Sequence, residues 1–206
     1  MISESHKFIL ITPPKTASTS LVTALSGCLE ICNINYQASG RTFDYTEISR
    51  DGEFKGAKGA KHKVARSYAQ EILSGEYKTF CSVRNPFDRM ISWWKFVVRR
   101  RFPDLSFRDF IFEPRIKTEV LFKNLTDFIA INENISVENF IRFEHLQDDF
   151  DEMCDTVKIP RRQLPHKNTG EHKPGHYTEY YDDETIARVG EIFKADLEMF
   201  NYKYGE

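Results

Sequence analysis

Three segments of the chain are short apolar runs, and each passes into a polar turn and then a helix-like repeat. KFILIT, residues 7–12, has the pattern of a buried strand and is stopped by Pro13-Pro14. KTFCSV, residues 78–83, is a second strand of the same type, and NFIRF, residues 139–143, is a third candidate. After the first run, Leu21, Leu25 and Leu29 recur every four residues. That spacing predicts a helix over 18–29, with Ser18 or Thr19 as its cap. After the second, Asn85-Pro86 sets a capping residue ahead of proline at the first helical position, predicting a helix through about residue 100. A helix over roughly 146–157 follows the third. Further helices are expected over 64–73, 106–113, 119–130 and, closing the chain, 183–200. Residues 33–63 are polar and irregular, with a short strand near 41–45, and 161–181 form a long polar stretch.

Strands alternating with helices predict an α/β fold, a parallel β-sheet flanked by helices. With 206 residues and no repeat, low-complexity segment or clear linker, the expectation is one domain over 1–206. Ligands of such sheets sit beyond the carboxyl ends of the strands. Two strand ends here carry unusual polar turns, PPKTASTS and RNPFDR.

Composition narrows the function classes. The chain is 40% hydrophobic and 29% charged with a net charge of −2, so nothing in its overall charge marks a polyanion or nucleic-acid binder. The apolar run at 8–12 is too short for a signal-peptide core or a membrane anchor. Cys28, Cys32, Cys81 and Cys154 lack Cys-x-x-Cys spacing and read as reduced thiols. Together these features fit a cytoplasmic protein, in which the sequons at Asn124 and Asn134 carry no meaning.

In the first turn, the start of a helix offers unpaired N–H groups and the positive end of a dipole. Thr16, Ser18, Thr19 and Ser20 add hydroxyls, and Lys15 a point charge, making a nest for a phosphate or sulfate. A plain helix cap with an incidental lysine is the alternative. The Walker A pattern is absent. Without glycine the backbone is expected to wrap an anion less closely, leaving the donors to the hydroxyls. In the second turn, Arg84 and Ser92 are eight residues apart and can meet on one anion across two helical turns. The alternative is an ion pair between Arg84 and Asp88.

Taken together, PKTASTS and RNPFDRMIS resemble the cofactor signature of sulfotransferases that use 3'-phosphoadenosine 5'-phosphosulfate (PAPS) and release adenosine 3',5'-bisphosphate (PAP). The first loop is most similar to that of carbohydrate sulfotransferases, especially the uronyl 2-O-sulfotransferases of heparan and dermatan sulfate. FIRFEHLQDDF and the stretch from His166 to Tyr204 fit the same branch. The resemblance implies a P-loop-like nucleotide-binding architecture. It places Lys15, Thr16, Ala17, Ser18, Thr19 and Ser20 on the 5'-phosphosulfate, and Arg84 and Ser92 on the 3'-phosphate. It also implies a flap over 167–175, with Lys167 and Lys173 near the cofactor, and generally metal-free chemistry. His166, His172 and His176 near that flap match no common zinc spacing.

The resemblance further implies a general base from the region between the two loops, where His62 stands, with Glu53 and Glu71 as fallbacks. A solvated loop histidine is the alternative; neighbouring cations favour its neutral, proton-accepting form. Lys58, Lys61 and Lys63, with Lys55 and Arg66, form a basic run suited to an anionic acceptor, or simply a solvated face. Arg99, Arg100 and Arg101 either extend it or complement a helix dipole. The reading is a sulfotransferase acting on a hydroxyl of an anionic glycan or other carbohydrate. Its rivals are a P-loop-type phosphotransferase and a non-catalytic polyanion-binding protein.

Overall fold

The structure is a computed structural model that describes residues 1–25, 65–100, 102–112, 122–132, 134–165 and 175–206. The chain divides into two compact units: Met1–Val83 with Phe128–Asn168, and Arg84–Asp127 with Thr169–Glu206.

The first unit is built on a four-stranded sheet in the order β1 (Ile2–Ser3), β2 (Phe8–Ile11), β3 (Lys78–Val83), β6 (Asn139–Arg142). β2, β3 and β6 run parallel, with Ile11 opposite Cys81 and Val83 opposite Arg142. β1 is antiparallel to β2, an edge strand too short to register in the sequence pattern. All four side chains of β2 are fully buried, as expected of an apolar run covered on both faces. Phe8, Leu10, Phe80 and Ile141 share one core with Leu21 and Ala24 of α1 (Ser18–Ala24), with Leu25 that caps it, and with Phe150, Met153 and Cys154 of α6 (Leu146–Thr156). The expected α/β architecture, a largely parallel sheet flanked by helices, is thus present.

Several expectations need revision. The segment read as one helix over 64–73 is a 3₁₀ turn, Ala65–Tyr68, leading into α2, Ala69–Leu73. Of the segment read as a helix over 119–130, the described residues from 122 on hold α5 (Thr126–Ile129), and the chain then folds into a hairpin of β4 (Ala130–Ile131) and β5 (Asn134–Ile135). Asn132 makes that hairpin possible by taking φ 49°, a conformation asparagine tolerates well. The helix expected over 18–29 ends at Ala24, with Leu25 as its C-cap, while residues 26–29 and the strand expected near 41–45 lie outside the described residues.

The second unit is helical. α3 (Pro86–Arg100) has the expected bounds, and Asn85 caps it by accepting the Phe87 amide at 3.1 Å. α4 (Phe107–Phe112), α7 (Asp183–Ile192) and α8 (Lys194–Phe200) complete it, with a 3₁₀ turn at Tyr177–Tyr180 inside the polar stretch. The single closing helix expected over 183–200 is broken at Phe193, which packs fully buried beside Phe87, Met90, Phe110 and Val189. Phe87 meets Tyr181 and Tyr204 edge-on at 5.6 and 5.1 Å, and burial pushes the Tyr181 phenol upward.

α7 begins with a reciprocal cap: Asp182 accepts the Thr185 amide and Thr185 accepts the Asp182 amide. The Thr185 amide and hydroxyl, then Arg108, hold the Asp182 carboxyl below its ordinary value of 3.8. Its stabilisation is therefore complete above that value and is lost as pH falls through the lower folded pKa. Asp182→Ala should lower Tm at neutral pH, and the gap to wild type should narrow as pH falls through the titration of the native carboxyl. Melting curves across that range check this.

Candidate active site

The carboxyl ends of β2, β3 and β6 lie side by side because the three strands are parallel and adjacent. From β2 the chain enters the turn that carries Lys15. Lys15 has φ 70° and Ala17 φ 64°, both left-handed and both without glycine. The backbone makes left-handed turns here without glycine, at a cost of roughly 1–2 kcal/mol for each such residue. Left-handed positions alternating with others aim successive amides into one concavity, a nest for an anion. The helix cap also differs from expectation. Ala17, not Ser18 or Thr19, is the N-cap of α1, and no side chain caps it.

The hydroxyls divide into two kinds. Thr16 is fully buried; its Oγ1 donates to the Pro13 carbonyl at 2.8 Å and lies 2.6 Å from Ser82 Oγ. Its single hydrogen is committed within the protein, so the hydroxyl has none to give a ligand. Ser18 and Ser20 are buried, while Lys15, Ala17 and Thr19 are half-buried.

In the helical unit, Arg84 stands just before α3 with its side chain 12% exposed. Nε and Nη2 both reach Asp88 Oδ2, at 2.8 and 2.6 Å. The ion pair weighed as an alternative is therefore formed. Asp88 and the half-buried Ser92 follow Arg84 at successive steps of four, so the carboxylate sits between the two residues assigned to one anion. Asn85 Nδ2 donates to the Lys203 carbonyl at 2.9 Å, which ties the turn carrying Arg84 to the end of the described chain.

A model of the sulfotransferase family matches residues 1–203. The chain belongs to the sulfotransferase family. The crystal structure of a sulfotransferase from Alicyclobacillus acidocaldarius is similar at 18% identity with a TM-score of 0.45, over 95% of this chain and 98% of that one. A search of curated protein sequences returns no match. Membership assigns transfer of a sulfuryl group to a hydroxyl-bearing acceptor in general.

Other residues assigned to this sulfotransferase's site fall outside the described residues: His62, Glu53, Lys58, Lys61, Lys63, Lys167 and Lys173. Glu71 is described and lies on α2. Its neighbour Ile72 lines a small cavity with Lys78 and Thr79 at the amino end of β3, roughly 13 Å of strand from Val83. His176 hydrogen-bonds the Thr178 hydroxyl at 2.9 Å and lies against the Tyr177 ring. Among the described residues no group of three or more His, Cys, Asp or Glu side chains could hold a metal, and no helix is long and apolar enough to cross a membrane. Cys81 and Cys154 are buried and form no disulfide.

Two residues in contact with the candidate ones carry little sequence signal. Ser82 looked like one more position of an apolar strand; a hydroxyl on the strand beside a Lys-Thr turn was its only signal. Asp88 was visible only as a competitor for Arg84.

Proposed function

We propose that this sulfotransferase takes its sulfuryl group from PAPS and delivers it to a hydroxyl of an anionic carbohydrate. The proposal rests on the glycine-free anion nest at Lys15–Ala17, at the carboxyl end of a parallel strand in a chain of this family. PAPS, when bound, supplies a sulfur already activated by a phosphate leaving group.

The chain's own residues then position and neutralise. The amides of Thr16, Ala17 and Ser18, with the hydroxyls of Ser18, Thr19 and Ser20, hold the 5'-phosphosulfate. The Lys15 ammonium meets the charge that grows on the bridging oxygen as its bond to sulfur breaks. His62 takes the acceptor's proton as the new oxygen–sulfur bond forms. Lys58, Lys61 and Lys63 receive the acceptor's negative charges. Arg84, oriented by Asp88, holds the 3'-phosphate together with Ser92, and Lys167 and Lys173 lie near the cofactor. Residues 1–206 act as one catalytic domain. None of these roles calls for a metal.

The direct test is sulfate transfer from labelled PAPS across a panel of glycans and small alcohols. Transfer to uncharged alcohols alone would remove the anionic acceptor. Binding gives a second test, since PAP should raise Tm where ATP does not. Stabilisation by magnesium and ATP, indifferent to a 3'-phosphate, would point to a phosphotransferase instead. Salt-steep polyanion binding with no transfer would point to a binding protein. Arg84→Ala should weaken PAP binding about 10- to 100-fold, the worth of one charge-assisted pair, and leave the affinity for AMP nearly unchanged. Equal losses for both nucleotides, measured by titration calorimetry, would take Arg84 off the 3'-phosphate.

A further inference from the structure

Ser82 is fully buried on the sheet face that Phe80 shares with the core of α1 and α6. A hydroxyl in that position needs a partner, and it has one in Thr16 Oγ1 at 2.6 Å. The direction of this bond follows from counting hydrogens. Pro13 O can only accept, so the Thr16 hydrogen goes there, at 2.8 Å. Ser82 must therefore donate to Thr16, and the chain runs from Ser82 through Thr16 to Pro13.

We infer that Ser82 is a positioning residue for the anion loop, acting through Thr16. The inference rests on the reading of that loop as the sulfate-donor site. Thr16 lies between Lys15 and Ala17, whose left-handed backbones are unfavourable for any residue with a Cβ. Such a conformation persists only where its surroundings over-determine it. The Thr16–Pro13 bond closes the turn locally, and the Ser82 bond pins that turn to β3, the rigid centre of the sheet. Together they hold the amides of residues 16–18 in place before a ligand arrives, so binding need not supply that ordering. A serine that merely filled space would leave anion affinity untouched.

The test is a double-mutant cycle with PAP as the probe, read by titration calorimetry and by amide hydrogen exchange in residues 15–18. Ser82→Ala should raise the Kd for PAP about tenfold and speed exchange in the loop by a similar factor. Thr16→Val should lose at least as much, and the double variant no more than Thr16→Val alone. A wild-type Kd and wild-type loop exchange in Ser82→Ala would overturn the inference, even with a lowered Tm. Additive losses would overturn it too, because Ser82 would then act by another route. Failure of the wild type to bind PAP would remove the sulfate-donor reading, while exchange in the loop would still decide whether Ser82 holds it.

Discussion

Lys15→Gly should leave the protein folded and reduce sulfuryl transfer by roughly two to three orders of magnitude, the usual cost of deleting one preorganised charge from a transition state. Glycine is the informative replacement. Lys15 has φ 70°, where an alanine would inherit the lysine's backbone strain. Glycine removes both the ammonium and the strain, and its greater freedom in the unfolded chain offsets much of the relief. Thermal stability should accordingly stay within a few degrees of wild type while kcat collapses. The corresponding change at Ala17 (φ 64°) keeps the ammonium, which makes Ala17→Gly the control for a loop that has only been loosened. If Lys15→Gly kept more than about a tenth of wild-type kcat on a true acceptor, the lysine could not be meeting charge on the leaving oxygen. A variant that lost both kcat and its cooperative melt would say nothing about catalysis, and the glycine is chosen to avoid that.

What could be read from the sequence follows the range of the forces involved. β3 and α3 emerged with their bounds because local chemistry fixes them: a six-residue apolar run, and an Asn-Pro cap that needs no distant partner. The candidate turns stand out for the same reason, since Lys15, the hydroxyls, Arg84 and Ser92 are all declared by residue type and spacing. What escaped depends on contacts far along the chain. The closing helix breaks at Phe193, where that ring is fully buried against residues of α3 and α4. Asp196, one turn later, accepts the amides of Leu125 and Thr126 and so caps α5 from about seventy residues away, which no local pattern announces. The Thr16 hydroxyl was read as an anion donor because its residue type permits it. Only the fold reveals Pro13 and Ser82 as its partners. Propensity argues that alanine and lysine avoid left-handed turns, and at positions 15 and 17 tertiary structure overrides it.

Asp196→Ala should cost about 3–5 kcal/mol of stability, the penalty for removing one partner of a buried ion pair. Arg89 is 2% exposed and Asp196 fully buried, with Nη1 and Oδ2 3.5 Å apart. The guanidinium has other support, since Nη2 donates to the Lys123 carbonyl at 2.6 Å and the group lies over the Phe193 ring at 4.8 Å. Removing the carboxylate takes a negative charge from beside a buried guanidinium and orphans the amides of Leu125 and Thr126. Burial pushes the Asp196 carboxyl above its ordinary range, although Arg89 and the two amides pull it down. The pair is therefore held against a large desolvation cost, and Asp196→Asn, which keeps an acceptor for the amides, should lose distinctly less than alanine. Replacing both partners, Arg89→Met with Asp196→Leu, should recover much of the loss, because no buried charge then remains. Urea unfolding of the four proteins checks the order: wild type, then the double variant and Asp196→Asn, with Asp196→Ala last. A double variant as unstable as Asp196→Ala would mean that the pair matters for its hydrogen bonds and shape instead of its charge. Arg89 lies on α3 between Asp88 and Ser92, so the same loss of anchoring should reach the residues proposed to hold the 3'-phosphate. Asp196→Asn should therefore raise the Kd for PAP even at temperatures where it is fully folded.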